Sequence, residues 1–207
     1  MSLSEAVSGA PRRHLSGRFW HQGPTRYPIT SCRDPALGVG RYHQAGDPGV
    51  WYASSQEQAA WAELFRHFLD AGVDPFEVRR RIGRVSVVVE VLDLTDPVVR
   101  DKLGVAEEDL VGDDYDVTQE VAREARRVGF HGVLAPSAAL PGATTLAVFA
   151  GALSAVQPER SEIRQPPPRL ADLLPVIRPQ EDVSAAVRRL FRTLAAAGAE
   201  AVRARRR

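Results

Sequence analysis

The feature that most constrains the fold is a run of β-branched residues in the middle of the chain. Residues 85–94 read Val-Ser-Val-Val-Val-Glu-Val-Leu-Asp-Leu, with five valines in ten positions. Branched side chains lose χ1 freedom in a helix and pack well on a pleated surface. The dipeptide Asp96-Pro97, which favours the start of a helix, follows closely. The sequence therefore predicts a strand over residues 85–94 and a fold built around a sheet.

Shorter runs of apolar and aromatic residues predict four further strands, at residues 17–22, 50–53, 133–135 and 144–149. Helices are predicted from a serine cap at Ser54 or Ser55 to about residue 71, over residues 96–102 and over about 117–128. Strands and helices in mixed order predict an α+β fold, with a small mixed central β-sheet and flanking helices.

The ends of the chain differ in composition from its centre. Residues 1–16 lack periodicity and are predicted to be a flexible N-terminal tail. Residues 17–155 hold all the predicted strands and form the binding domain. Residues 156–207 combine a proline-rich segment with an amphipathic helix over residues 183–197, and we expect them to be an appendage to the same domain.

Composition excludes several classes of protein. The formal charge is +1 and no apolar run reaches the ~18 residues of a membrane span, so we expect a cytoplasmic protein. The single cysteine, Cys32, excludes an internal disulfide and a cysteine-based zinc site. The acidic segment 107–116 lacks the ligand spacing of a calcium loop, so no metal site is predicted. The basic tail 203–207 could touch nucleic acid, but solvated cations at a helix end explain it better.

Three residues form the candidate catalytic site. The long loop 23–40, which we expect to be functional, ends at Gly40, directly before Arg41. The planar fork of Arg41 suits a phosphate. Tyr52 lies on the second predicted strand, and Glu63 lies near the edge of the buried stripe of the following helix. An arginine, an aromatic hydroxyl and a carboxylate can hold an anionic nucleotide and stabilise a cation beside it.

The same stretches, taken in order, resemble the RES domain, the toxin of RES–Xre toxin–antitoxin pairs. The resemblance covers roughly residues 17 to 155. It is carried by Trp20-His21, Gly40-Arg41-Tyr42, the segments 50–53 and 59–63, and later by segments 91–97, 112–115 and 129–137. It implies a fold related to ADP-ribosyltransferases and a reaction that consumes NAD+, in which water or phosphate replaces nicotinamide. NAD+ would then be a substrate, with no prosthetic group.

The resemblance also assigns roles to residues. Arg41, Tyr52 and Glu63 match the arginine, strand tyrosine and glutamate of the family, and Ser137 matches its late serine. Val39 stands where the family has a first glycine, and His21 stands where many members have an additional arginine. The residues implied to contact NAD+, besides Arg41 and Tyr52, are His21, Gln22, Tyr42, Asp116 and Ser137.

The implied chemistry places a carboxylate beside an oxocarbenium-like sugar, as in glycoside hydrolysis. Glu63 is predicted to stabilise that charge and to bond a ribose hydroxyl, and Tyr52 to stack on nicotinamide. An Xre-type antitoxin is the implied partner, and a homodimer is plausible. Two further activities stay open: ADP-ribosyl transfer to a macromolecule, favoured by the order His21, Tyr52, Glu63, and a non-catalytic RES fold that only binds a nucleotide or a partner.

Each site residue also has a purely structural explanation. Arg41 could brace its loop against Asp34 or Asp47, and Tyr52 could be a core aromatic residue with its hydroxyl at the surface. Glu63 could pair with His67 one turn along the helix. Ser137, which follows a proline, could simply be a turn residue.

Overall fold

A computed structural model describes residues 2–32, 39–70 and 74–167, without the side chains of residues 68–70. The helices are α1 (Leu3–Ser8), α2 (Glu57–Asp70), α3 (Pro97–Leu103), α4 (Glu107–Val111) and α5 (Asp116–Arg127). The strands are β1 (Arg12–Gly23), β2 (Val50–Ser54), β3 (Arg80–Asp93), β4 (Gly132–Pro136), β5 (Thr144–Phe149) and β6 (Val156–Arg164). Short 3-10 helices cover Pro75–Glu77 and Ala150–Ala155.

The six strands form one mixed sheet in the order β1-β2-β5-β4-β3-β6. An additional pairing of β1 with β3 closes all but β6 into a ring, a small barrel. The long strand β3 makes this possible, because β1 pairs along most of one edge while β6 and β4 share the other. Only the β3–β4 pairing is parallel among the described strands. The prediction of a mixed α+β fold is confirmed.

The valine run fills the barrel. Val85, Val87, Val89 and Val91 are buried in one core with residues of the other four strands of the ring, whereas Val88 is 54% exposed. This alternation is the period of two that a strand imposes. Two further cores lie outside the ring: one beneath α1, α3, α4 and α5, and one beneath α2. The predicted strand over 85–94 is therefore confirmed, and it begins earlier, at Arg80.

The helix signals of the sequence are confirmed with one exception. Asp96 caps α3 through its side chain, and Gly104 ends it in the left-handed conformation at φ 68°. The predicted serine cap of α2 differs, because the Ser55 hydroxyl accepts from the Thr144 amide instead. Residues 71–73, at the predicted end of α2, lie outside the described residues. The acidic segment 107–116, for which the sequence predicted no helix before about residue 117, contains α4, whose Leu110 is fully buried in the core.

Both predicted domain boundaries differ from the structure. The predicted flexible tail, residues 1–16, is ordered from residue 2 on: α1 has a capping box, buries Val7 completely and is followed by β1 from Arg12. Residue 155 is not an edge of the sheet, because β6 pairs with β3 beyond it. The predicted helix 183–197 and the basic tail lie outside the described residues. Within the described chain, none of the helices has the length and apolarity to span a bilayer.

Candidate functional site

The loop that carries Arg41 is fixed by its own backbone and by α5. Gly40 and His43 exchange two main-chain hydrogen bonds of 3.0 and 3.2 Å. The Gln119 side chain of α5 donates from Nε2 to the carbonyl oxygens of Gly40, at 3.0 Å, and His43, at 3.3 Å. A Cβ at position 40 would lie 2.3 Å from the His43 ring and 2.8 Å from the Tyr52 hydroxyl. Only glycine therefore fits before Arg41.

Tyr52 holds the same loop from the barrel side. Its hydroxyl oxygen accepts from the Tyr42 amide at 3.1 Å and lies 3.0 Å from Nδ1 of His43. Burial raises the pKa of Tyr52 above its usual range, so the phenol stays neutral. Its hydroxyl is thus buried and engaged, which differs from a core tyrosine with its hydroxyl at the surface. Stacking of its ring on nicotinamide stays a prediction.

Arg41 and Tyr42 each present a buried donor without a hydrogen-bond partner among the described residues. The Arg41 guanidinium lies 4.6 Å above the Tyr115 ring, and its Nη1 is buried and unpaired. Tyr42 is 1% exposed, and its hydroxyl is likewise unpaired. A buried unpaired donor costs ~1–3 kcal/mol, which a ligand oxygen or a water would recover. Asp47, suggested as a brace for Arg41, instead lies 3.9 Å from Arg126.

Glu63, on α2, is the carboxylate of the candidate site. Its Oε1 lies 3.3 Å from the Ser137 hydroxyl, which donates to it. Ser137 is 1% exposed, and its hydroxyl oxygen also accepts from the amides of Ala139 and Leu140. Ser137 is therefore both the predicted turn residue and the group that orients Glu63. The pairing of Glu63 with His67 is replaced by this bond.

Electrostatics connects these residues. Burial raises the pKa of Tyr42; the charge of Arg41 opposes this change, and the charge of Glu63 adds to it. The charges of Arg41 and Glu63 therefore both reach the buried Tyr42 hydroxyl, where screening by water is weak. The contacts of the structure thus link Arg41, Tyr42, Tyr52, Glu63 and Ser137, contributed by a loop, the strand β2, the helix α2 and the turn after β4.

His21 lies on the other face of β2, inside the barrel. Its ring stacks on Trp51 at 5.0 Å, and Nδ1 donates to the Tyr52 carbonyl at 2.5 Å. Burial lowers the pKa of His21 to about 4, the bond to Tyr52 opposes this, and the charge of Arg80 adds to it. His21 is therefore neutral at pH 7, and it supports the backbone of Tyr52.

The two remaining predicted contact residues, Gln22 and Asp116, make other interactions. The Gln22 side chain accepts from Nε of Arg80 at 2.8 Å. Asp116 is exposed at the start of α5, where its amide donates to the Asp114 side chain. No interaction places either residue beside the unpaired donors of Arg41 and Tyr42. Their contact with NAD+ stays a prediction.

Sequence reasoning missed the groups that support the site. Gln119 and His43 fix the arginine loop, and Arg66 fixes the turn after β4. Arg66 is 3% exposed, donates to the Ala138 carbonyl at 2.6 Å and pairs with Asp113. One signal was available: Arg66 lies three residues after Glu63 and next to Phe65, so it falls on the half-buried side of α2. Across residues 2–32, 39–70 and 74–167, no group of three or more His, Cys, Asp or Glu residues could hold a metal.

Comparison with known proteins gives the family and the fold. The probable NAD(+) phosphorylase Rv3189 of Mycobacterium tuberculosis is 65% identical over 207 residues, all of both chains. The fold matches the crystal structure of the M. tuberculosis MbcT-MbcA toxin-antitoxin complex, with a TM-score of 0.71 and 24% identity. That match covers 79% of this chain and 92% of the other. The model of the RES domain matches residues 9–171. The chain belongs to the RES domain family.

Proposed function

We propose that this protein is a toxin that depletes NAD+ by breaking its nicotinamide–ribose bond and transferring ADP-ribose to phosphate. The observation that carries the proposal is the pair of buried, unpaired donors on Arg41 and Tyr42, together with the oriented carboxylate of Glu63, whose charge acts on the Tyr42 hydroxyl. A relative with 65% identity bears the name of a probable NAD(+) phosphorylase, which supports phosphate rather than water as the acceptor.

Each group has a task in this reaction. The free Nη1 of Arg41 and the Tyr42 hydroxyl donate to oxygens of the NAD+ pyrophosphate, which are strong acceptors. Nicotinamide leaves as a neutral molecule with the electrons of the glycosidic bond, so it needs no proton from the enzyme. Glu63 stabilises the positive charge that develops on the ribose. An oxygen of inorganic phosphate then bonds to the ribose carbon from which nicotinamide has left. The products are nicotinamide and ADP-ribose 1″-phosphate, with one proton released at neutral pH.

The test measures both products with purified protein. We expect nicotinamide release that depends on phosphate, and a phosphorylated ADP-ribose in the mass spectrum. Free ADP-ribose at the same rate without phosphate would assign the enzyme as a glycohydrolase. Labelled protein or nucleic acid would indicate ADP-ribosyl transfer. Binding of NAD+ without release above a Glu63→Gln control would indicate a non-catalytic fold.

The same proposal includes a partner. The matched fold was solved as a toxin with its antitoxin, so we propose that an Xre-type antitoxin binds this chain and covers the site. We also propose a cytoplasmic location, where NAD+ and the antitoxin are available, and self-association as a homodimer. Co-expression with the product of the neighbouring gene tests the first point, and light scattering of the purified chain tests the last. Growth of a host expressing the active chain alone would contradict the toxin role.

A further inference from the structure

A cavity lies on the opposite face of β2 from the site. Ile29 belongs to the core inside the ring, and its carbonyl accepts from the Trp51 indole at 3.0 Å. Trp51 and Tyr52 are neighbours on β2, so their side chains point to opposite faces. The cavity beside Ile29, of about 420 Å³, is thus separated by the strand from Arg41 and Tyr42. Residues that line it include Arg26, Arg81, Thr30, Ser161, Tyr27 and Pro158.

The cavity presents cations and hydroxyls, and the described residues that line it include no carboxylate. Arg81 on β3 donates from Nη2 to the Thr25 carbonyl at 2.9 Å, which fixes the guanidinium. Its Nε is buried and has no hydrogen-bond partner among the described residues. Arg26 lies 4.8 Å above the ring of Tyr27, at the exposed side. A pair of guanidinium groups without a counter-charge in the lining is suited to a phosphate, which accepts several such bonds.

The size of the cavity indicates more than a bare phosphate. A volume of about 420 Å³ falls within the range of ~300–1,000 Å³ typical of sites for small organic ligands. Tyr27 is 43% exposed, and Arg26 covers one face of its ring, so a base would stack on the other face, with Pro158 as further apolar surface. The hydroxyls of Thr30 and Ser161 can bond a sugar.

We propose that this cavity binds a nucleotide-sized organic phosphate, with its phosphate on Arg81 and Arg26 and its organic part against Tyr27 and Pro158. The binding site is separate from the one that takes NAD+. It does not depend on the proposed reaction, because it rests on residues that the reaction does not use.

Calorimetry with AMP as the probe tests the proposal. All binding experiments use the Glu63→Gln variant, so that added NAD+ is not consumed. We expect AMP to bind one to one in the presence of saturating NAD+, and adenosine and inorganic phosphate each to bind at least about tenfold more weakly. Displacement of AMP by NAD+ would overturn the proposal, because it would place AMP in the site of Arg41. Equal binding of adenosine would overturn the role of the two arginines.

Variants locate the bound AMP. Arg81→Met should weaken AMP binding about tenfold or more, whereas Arg41→Met, the same chemical change on the other face of β2, should leave it unchanged. The opposite pattern would contradict the proposal. Because Arg81 also supports the Thr25 backbone, the exposed Arg26→Ala and the small change Ser161→Ala provide variants that should fold normally. Both should lower AMP affinity, and unchanged affinity in the two would count against the site.

Discussion

The hydroxyl of Tyr52 accepts a hydrogen bond from the main-chain amide of Tyr42 at 3.1 Å. This bond joins the barrel to the loop that presents Arg41, the residue before Tyr42. Tyr52 and Gln119 therefore act on the arginine from opposite sides, one through the Tyr42 amide and the other through the carbonyls of Gly40 and His43. The orientation of the buried Arg41 donor depends on groups that need not touch the substrate.

Removal of the Tyr52 hydroxyl tests this arrangement. In Tyr52→Phe the Tyr42 amide loses its acceptor, so we expect a loss of about 1–3 kcal/mol in the free energy of unfolding. The looser loop should raise KM for NAD+ more than it lowers kcat. Denaturant unfolding and steady-state nicotinamide release measure the two effects. A fall in kcat with KM unchanged would instead assign the hydroxyl to the chemical step.

Gln119 offers a second test with a matched control. Gln119→Leu removes a buried amide that bonds two carbonyls, and it should destabilise the protein by about 1–3 kcal/mol and raise KM for NAD+ severalfold. Gln157→Leu removes a similar bond of 2.8 Å to the Ser154 carbonyl at an exposed position, and it should change stability by less than about 0.5 kcal/mol. Equal effects in the two variants would show that Gln119 does not fix the arginine loop.

The elements of the fold could be predicted because their signals are local. The valines of β3 alternate inside and outside the ring, and Asp96 with Gly104 marks both ends of α3. Closure of the ring could not be predicted, because it depends on pairing of β1 with β3 across some seventy residues. The N-terminal helix was missed for a similar reason: Val7 gains its stability from packing against the distant core beneath α5.

The site was predicted in part, again for physical reasons. Arg41, Tyr52, Glu63 and Ser137 belong to recognisable segments, and the structure bonds Tyr52 to the loop of Arg41 and Ser137 to Glu63. Gln119 was missed because a glutamine on an amphipathic helix has no sequence mark that distinguishes a buried amide from a solvated one. His21 lies on the predicted strand, but the direction of its side chain depends on the pairing of β1 with β3. In that pairing His21 is opposite Gly83, and its side chain points into the barrel beside Trp51.

Glu63 and Ser137 should differ in the kind of loss they cause. Glu63→Gln removes the charge opposite the developing cation, so kcat should fall by about 100-fold or more while NAD+ binding persists. Ser137→Ala leaves Glu63 in place but unoriented, and it deprives the amides of Ala139 and Leu140 of an acceptor. We expect about a tenfold loss in kcat together with lower stability.

The exposed Glu120→Gln is the control for the charge change, and it should leave kcat unaltered. Nicotinamide release and NAD+ calorimetry separate the effects of the two site variants. If Glu63→Gln retained most of the wild-type kcat, the electrostatic role of Glu63 would be wrong.

The pH dependence of stability should report the buried state of His21. Its pKa falls from 6.5 to about 4 on folding, so between these values the unfolded chain binds more protons than the folded one. Stability from this group is therefore complete above pH 6.5 and is lost as the pH falls toward 4, by about 1–2 kcal/mol at pH 5. In His21→Asn, which cannot take up a proton, the loss of stability between pH 7.5 and pH 5 should be smaller by that amount. Urea unfolding of both proteins at the two pH values measures it, and equal losses would mean that His21 is not held neutral behind Tyr52.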